Sequence, residues 1–253
     1  GIANTLSLFG KIYSSEGKYD LAVKYCKESL SLNRENNRDR IDVLNTLAEI
    51  YYFKNELNRA VKYQKQAVAI AEEIKMTDAI ARNLLTLAKF YRVKGDNDLV
   101  INYAEQCLIL SEKWGLTHWM AQSLMILIGT YIDEKSREKA DRYFSRLTEL
   151  HNQAKEKGDW DFPQAFLASK AYIMKSSTRM RDRVEAQSIF KELINRGRSI
   201  YFGEEGLIFN LISLSDLLLE ELSIYNDLEI LDEVNSCITK ILEIAEKENN
   251  YFW

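Results

Sequence analysis

Apolar residues recur at intervals of three and four along most of the chain, as in Leu84, Leu87, Ala88 and Tyr91 and again in Leu99, Tyr103, Cys107 and Leu110. That spacing lines one face of an α-helix, so the pattern predicts amphipathic helices. They come in pairs, and the pairs repeat. Tyr13, Tyr51, Tyr91 and Tyr131 stand 38, 40 and 40 residues apart, and Tyr25, Tyr63, Tyr103 and Tyr143 follow them by twelve. The same spacings carry Phe9, Leu47, Leu87 and Leu127, then Gly10, Ala48, Ala88 and Ile128, then Ala22, Ala60, Val100 and Ala140. Eight of the 14 tyrosines fall in two columns, which composition alone does not arrange. A fixed period of this length is the signature of a repeat architecture. The small residues Gly10, Ala48 and Ala88 would let the two helices of a unit approach closely.

Between the helices, Gly17, Asn55 and Gly95 hold one relative place, where a helix ending in the left-handed conformation favours glycine or asparagine. The fourth unit has Lys135 there, at a cost of about 1 kcal/mol if the geometry is kept. Asp20, Asn58, Asp98 and Glu138 follow the turn and are suited to capping the next helix.

Phe9-Gly10-x-x-Tyr13, followed by Gly17-Lys18-Tyr19-Asp20-x-Ala22-x-x-Tyr25, resembles the tetratricopeptide repeat family. The resemblance covers residues 3–150 and implies an all-α fold, a right-handed α-solenoid of about six antiparallel helix pairs whose concave surface receives partners. Two features depart from the family. The closing proline is missing from all four units, and the period is near 40 instead of about 34. Six extra residues, if helical, lengthen a pair by roughly 9 Å in total. This long variety resembles the repeats of kinesin light chains, maltose-regulator-like activators and bacterial peptide-pheromone receptors. Residues 1–150 are expected to hold four regular repeats, and 151–253 two degenerate hairpins, continuous with the first part. Ala165 to Tyr172 and Val184 to Leu193 make the fifth pair, Leu207 to Leu222 and Leu228 to Ala245 the sixth. Tyr251-Phe252-Trp253 would begin a further helix, and with the opening at Gly1 this suggests a fragment of a longer protein.

Composition sharpens the picture in a few places. With 46% hydrophobic and 28% charged residues the chain can bury an extended core without disulfides or metals, and a single proline suits long helices. Three cysteines, Cys26, Cys107 and Cys237, are odd in number and lack C-x-x-C spacing, which fits a reducing, cytoplasmic setting, and Cys26 and Cys107, on the inward stripe of second helices, are expected to serve packing. The most apolar stretch, Gly206 to Leu219, is broken by Asn210, Ser213, Ser215 and Asp216, so no membrane span is expected. His118 and His151 stand 33 residues apart, outside any metal-binding spacing, and no phosphate-cradling glycine loop or serine elbow is present. No enzyme activity, metal or cofactor is expected.

What remains is recognition of a protein or peptide. The resemblance puts the polar face of each first helix on the concave surface. Arg82, Thr86, Lys89 and Arg92 form a basic stripe in the third unit; Asn45, Glu49, Tyr52 and Phe53 match it in the second, Ser7, Lys11 and Ser14 in the first, and Gln122, Met125 and Asp133 in the fourth. Lys89 and Arg92 are expected to take an acidic group, with Tyr52 as an aromatic platform. Lys11 and Asn45 come near a carboxylate-clamp arrangement without completing it, so chaperone C-termini are not expected. The stretch Lys175 to Arg198 has a local charge of +4, and Arg179, Arg181 and Arg183 form a candidate anion patch. Stacking aromatics are not interleaved there, so a solvated surface is favoured over nucleic acid. Two readings stay open: a scaffold or adaptor, and a sensing domain that regulates an attached effector. Self-association through an uncapped solenoid end is a further expectation.

Overall fold

The structure, a computed structural model, describes residues 1–33, 36–156, 163–197 and 203–249. It is all-helical, with no strand among the described residues: α1 (Ile2–Ser15), α2 (Tyr19–Leu32), α3 (Asn37–Phe53), α4 (Leu57–Glu73), α5 (Thr77–Lys94), α6 (Asn97–Trp114), α7 (Thr117–Asp133), α8 (Arg137–Glu156), α9 (Pro163–Lys175), α10 (Met180–Asn195), α11 (Gly203–Tyr225) and α12 (Leu228–Asn249). These are the helix pairs of an α-solenoid. The chain divides into two compact units, residues 1–123 and 124–248. The further helix expected to begin at Tyr251, as the start of a seventh pair, lies outside the described residues.

In the first unit the period becomes packing. The alanine column is fully buried, with Ala22, Ala60 and Val100 at 0% exposure, and Leu47 and Leu87 stand at 0% and 1%. Each first-helix tyrosine stacks on the tyrosine twelve residues later: Tyr13 on Tyr25 at 5.3 Å, Tyr51 on Tyr63 at 5.3 Å and Tyr91 on Tyr103 at 5.5 Å, with planes within 11°. One helical pair is closed so tightly that a Cβ on Gly10 would run into Cys26 Sγ. Ser29 Oγ donates to Ala3 O at 2.8 Å, and Cys107 Sγ meets Ala81 O at 3.2 Å in the same register.

The turns obey one rule. Gly17, Asn55, Gly95 and Lys135 all have positive φ, from 57° to 74°. In each case the next amide donates back to the first-column tyrosine: Lys18 N to Tyr13 O, Glu56 N to Tyr51 O, Asp96 N to Tyr91 O and Ser136 N to Tyr131 O, at 2.8 to 3.0 Å. This is the Schellman closure of a helix end. Lys135 therefore keeps the left-handed geometry despite its side chain.

The capping expectation is corrected. Helices α2, α4 and α6 are preceded by Lys18, Glu56 and Asp96, and only Asp96 caps with its side chain, accepting from Leu99 N at 3.2 Å. Asp20 and Asn58 lie inside the first turn, where the side chain no longer reaches the end amides. They tie neighbouring repeats instead, accepting from Lys54 Nζ at 2.6 Å and Lys94 Nζ at 2.9 Å.

In the second unit Tyr131 stacks on Tyr143 at 5.6 Å. From α9 onward the aromatic rule lapses: Tyr172 meets Phe190 edge-on at 5.8 Å and Phe209 at 4.7 Å. The core there joins Phe190, Leu193, Leu211, Leu214, Leu218 and Val234, drawn from α10, α11 and α12. Helices α9 to α12 all run beyond the segments read from the sequence.

Candidate functional site

First helices of the first unit lie side by side, α1 touching α3, and Tyr52 of α3 stacking on Phe90 of α5 at 5.2 Å. Their outward residues make one wall. Lys11 and Glu49 are exposed, as is Arg82, while Ser7, Ser14, Asn45, Tyr52, Phe53, Thr86, Lys89 and Arg92 are partly exposed. Asn45 Oδ1 accepts from the buried Gln64 Nε2 at 3.2 Å, so its carbonyl is turned toward α4. Tyr52 gives one ring face to Phe90 and sits edge-on to Phe53 at 5.7 Å. Tyr19 adds a further ring 6.2 Å from Phe53, extending an aromatic ladder that the sequence stripes did not include.

Charge along the wall alternates by helix: Lys11 on α1, Asp42 and Glu49 on α3, Arg82, Lys89 and Arg92 on α5. Asp42 stands 40 residues before Arg82, in the same register, and the period alone could have flagged it. Gln122 does not belong to this surface. It is 5% exposed, its Nε2 lying 2.7 Å from His118 Nε2, because its turn of α7 faces the packed interior. Met125 is partly exposed and Asp133 exposed, both in the second unit.

Residues 1–73 match the tetratricopeptide repeat family. Against curated proteins the sequence has no match. Among solved structures it is similar to aspartyl phosphate phosphatase F from Bacillus subtilis, with a TM-score of 0.66 and 13% identity over 96% of this chain and 59% of that one. It is also similar to a signal transduction ATPase with numerous domains that carries a tetratricopeptide repeat sensor, from Pyrococcus horikoshii, with a TM-score of 0.64 and 16% identity over 98% and 38% of the two chains. A Rap protein complexed with competence and sporulation factor follows, at a TM-score of 0.59 and 14% identity over 98% and 65%. The chain thus spans less than two thirds of each of these proteins, and the likeness is one of fold.

Other chemistry in this chain is subdued. Burial pushes the Cys26 thiol up to about 11, against a smaller opposing pull from Lys11. Burial also raises the Cys107 and Cys237 thiols, so all three free cysteines stay protonated and poorly nucleophilic. His151 stacks on Phe166 at 4.2 Å, and burial, with Lys155 nearby, lowers its pKa. Among the described residues no three His, Cys, Asp or Glu side chains gather to hold a metal, and no helix is long and apolar enough to cross a membrane.

The basic stretch after α9 is largely occupied. Lys175 pairs with Asp216 at 2.7 Å, Arg183 with Glu220, Lys191 with Glu233 at 2.6 Å, and Arg196 with Glu192. Arg179, at the start of α10, and Arg181 are exposed. The candidate patch therefore brings two arginines to the surface, while the third holds α10 to α11.

Proposed function

We propose that this chain is a non-catalytic protein- or peptide-binding module of the reducing cytoplasm that works as a scaffold or adaptor, and that α1, α3 and α5 supply its binding wall. The observation that carries the reading is on α5. Its Leu84, Leu87, Ala88 and Phe90 are packed, yet Arg82 is exposed and Lys89 partly exposed on the stripe between them, and Phe90 of the same helix carries the partly exposed Tyr52 ring of α3. Cations on helices that also present partly exposed aromatic rings suit a partner carrying both an acidic and an apolar residue, the usual composition of an interface anchor. The acidic residues Asp42 and Glu49 on α3 would set the direction of the bound segment by repelling its carboxylates.

A sensing role in a larger regulator is the second reading. The tetratricopeptide repeat sensor of the Pyrococcus horikoshii ATPase and the Rap protein in complex with competence and sporulation factor support it through their shared architecture. Both readings use the same wall and differ in what is attached to it. Capture of partners from cell extract, identified by mass spectrometry, tests the wall: Arg82→Glu, Lys89→Glu, Arg92→Glu together should remove the specific partner with the melting temperature kept. Retention of that partner by the triple variant would overturn the assignment.

A further inference from the structure

Two carboxamides lie wholly inside the first unit with atoms that no protein group satisfies. Asn83 of α5 is 0% exposed, and neither its Nδ2 nor its Oδ1 makes a hydrogen bond. Gln64 of α4 is 1% exposed, and its Oε1 accepts none. Flipping the Asn83 amide exchanges its two atoms between the same places and pairs neither. Buried polar groups in folded proteins are bonded to protein or to ordered water, and three left dry would cost a large share of the stability a chain has.

The repeat brings the two amides to one level. Ser123 of α7 lies beside Cys107 of α6: burial raises that thiol's pKa, and Ser123 and Ser111 hold it back, although Ser123 Oγ stops short of a hydrogen bond. Forty residues earlier the same contact sets Asn83 against Ala67, a buried methyl group with nothing to offer an amide. Gln64 precedes Ala67 by three residues, about 4.5 Å along α4. On α3, Asn45 stands 38 residues before Asn83, the same interval that separates the stacked Tyr52 and Phe90 and, within one core cluster, Ile41 and Ala79. Asn45 Oδ1 accepts from Gln64 Nε2 at 3.2 Å, so three amides from three helices meet at this level. The preceding junction differs: its register places Val43 against Ser29, whose Oγ already donates to Ala3 O.

We propose that Asn83 and Gln64 form an internal hydration site in which ordered water accepts from Asn83 Nδ2 and donates to Asn83 Oδ1 and Gln64 Oε1, holding Gln64 beneath Asn45. Water suits the site because it both donates and accepts, and the three atoms give it the two to four partners that a buried water keeps. Gln64 then acts as a positioning residue. Its Nε2 fixes the carboxamide of Asn45, which is partly exposed on α3, while its other limb is anchored from inside. The value of that placement for recognition rests on the wall proposed above; the hydration site itself does not.

Cross-relaxation between water and the side-chain amide protons of Asn83, read by NMR on the intact chain, tests the site without any variant. Contacts of the sign given by water held far longer than at a surface are expected. Asn83→Val, with the residue that the register places at Val43, removes the site. In that variant the side-chain amide protons of Asn45 should exchange with solvent about threefold faster or more, with the backbone amides of α3 unchanged. Absence of long-lived water at Asn83 would overturn the hydration site, and unchanged Asn45 exchange in Asn83→Val would overturn the positioning role of Gln64. Neither reading uses a partner, so loss of the wall assignment would leave both standing.

Discussion

Helices α1 to α6 meet through rings and small residues, and helices α9 to α12 are tied at their rims by charge. In the first region three tyrosine pairs stack at 5.3 to 5.5 Å over fully buried alanines and a valine. In the second, Lys170 meets Glu185 at 2.6 Å, Lys175 meets Asp216, Lys191 meets Glu233, and Gln187 donates to Glu221 at 2.7 Å, all between different helices. These pairs are a quarter to three fifths exposed on most sides, where each contributes about 0–1 kcal/mol. Stability in both regions therefore comes from apolar packing. What differs is how the helices are aligned: by a ring at a fixed place in every repeat, or by polar pairs individual to each contact.

The largest test of that view is Phe190→Ala, which empties a wholly buried site of the second core. It should cost about 3–5 kcal/mol in urea unfolding and lower the melting of the second region before the first. An equal shift of both would show that they unfold as one.

A smaller effect is expected at the tight closure of α1 on α2. Gly10→Ala should cost about 1–3 kcal/mol by thermal melting, because the new methyl displaces Cys26 Sγ. Adding Cys26→Ala should recover most of the loss, since the third repeat already holds Ala88 and Ala104, both at 0% exposure, in the same two places. A strictly additive double variant would mean the two positions do not compete.

Lys135→Gly should raise stability by up to about 1 kcal/mol, because its backbone is held at a φ of 58°. Gly95→Lys should lose a similar amount at its φ of 74°. The smallest expected effect concerns His151. Burial lowers its folded pKa, so the neutral ring is favoured in the folded state. Its contribution is present above the unfolded value of about 6.5 and is lost as pH falls below that, toward the folded pKa. Melts at pH 7.5 and 5.5 should differ less in His151→Gln than in the parent chain.

The tyrosine columns, the small-residue column and the left-handed turns were readable because each recurs at one place in a fixed period. The polar contacts were not. Asp20 and Asn58 look like caps locally, yet they accept from lysines 34 and 36 residues later. The basic run from Lys175 looked like a surface patch because its carboxylate partners lie on α11 and α12, far along the chain. On the wall, the sequence supplied Lys11, Glu49, Arg82, Lys89 and Arg92 through register. It could not supply the turn of Asn45 toward Gln64 or the seat of Tyr52 on Phe90, which depend on how neighbouring helices nest.

One further consequence belongs to the tyrosine that both stacks and closes its own turn. Its ring fixes the distance to the next tyrosine at twelve residues, and its carbonyl fixes the distance to the left-handed residue at four. A residue inserted inside that frame would have to break one or the other. Growth of the unit is thereby steered elsewhere: from Tyr25 to Tyr51 there are 26 residues, but 28 from Tyr63 to Tyr91 and from Tyr103 to Tyr131. The tolerance for length lies in the passage from one hairpin to the next, so repeats of unequal size can share a single inner geometry.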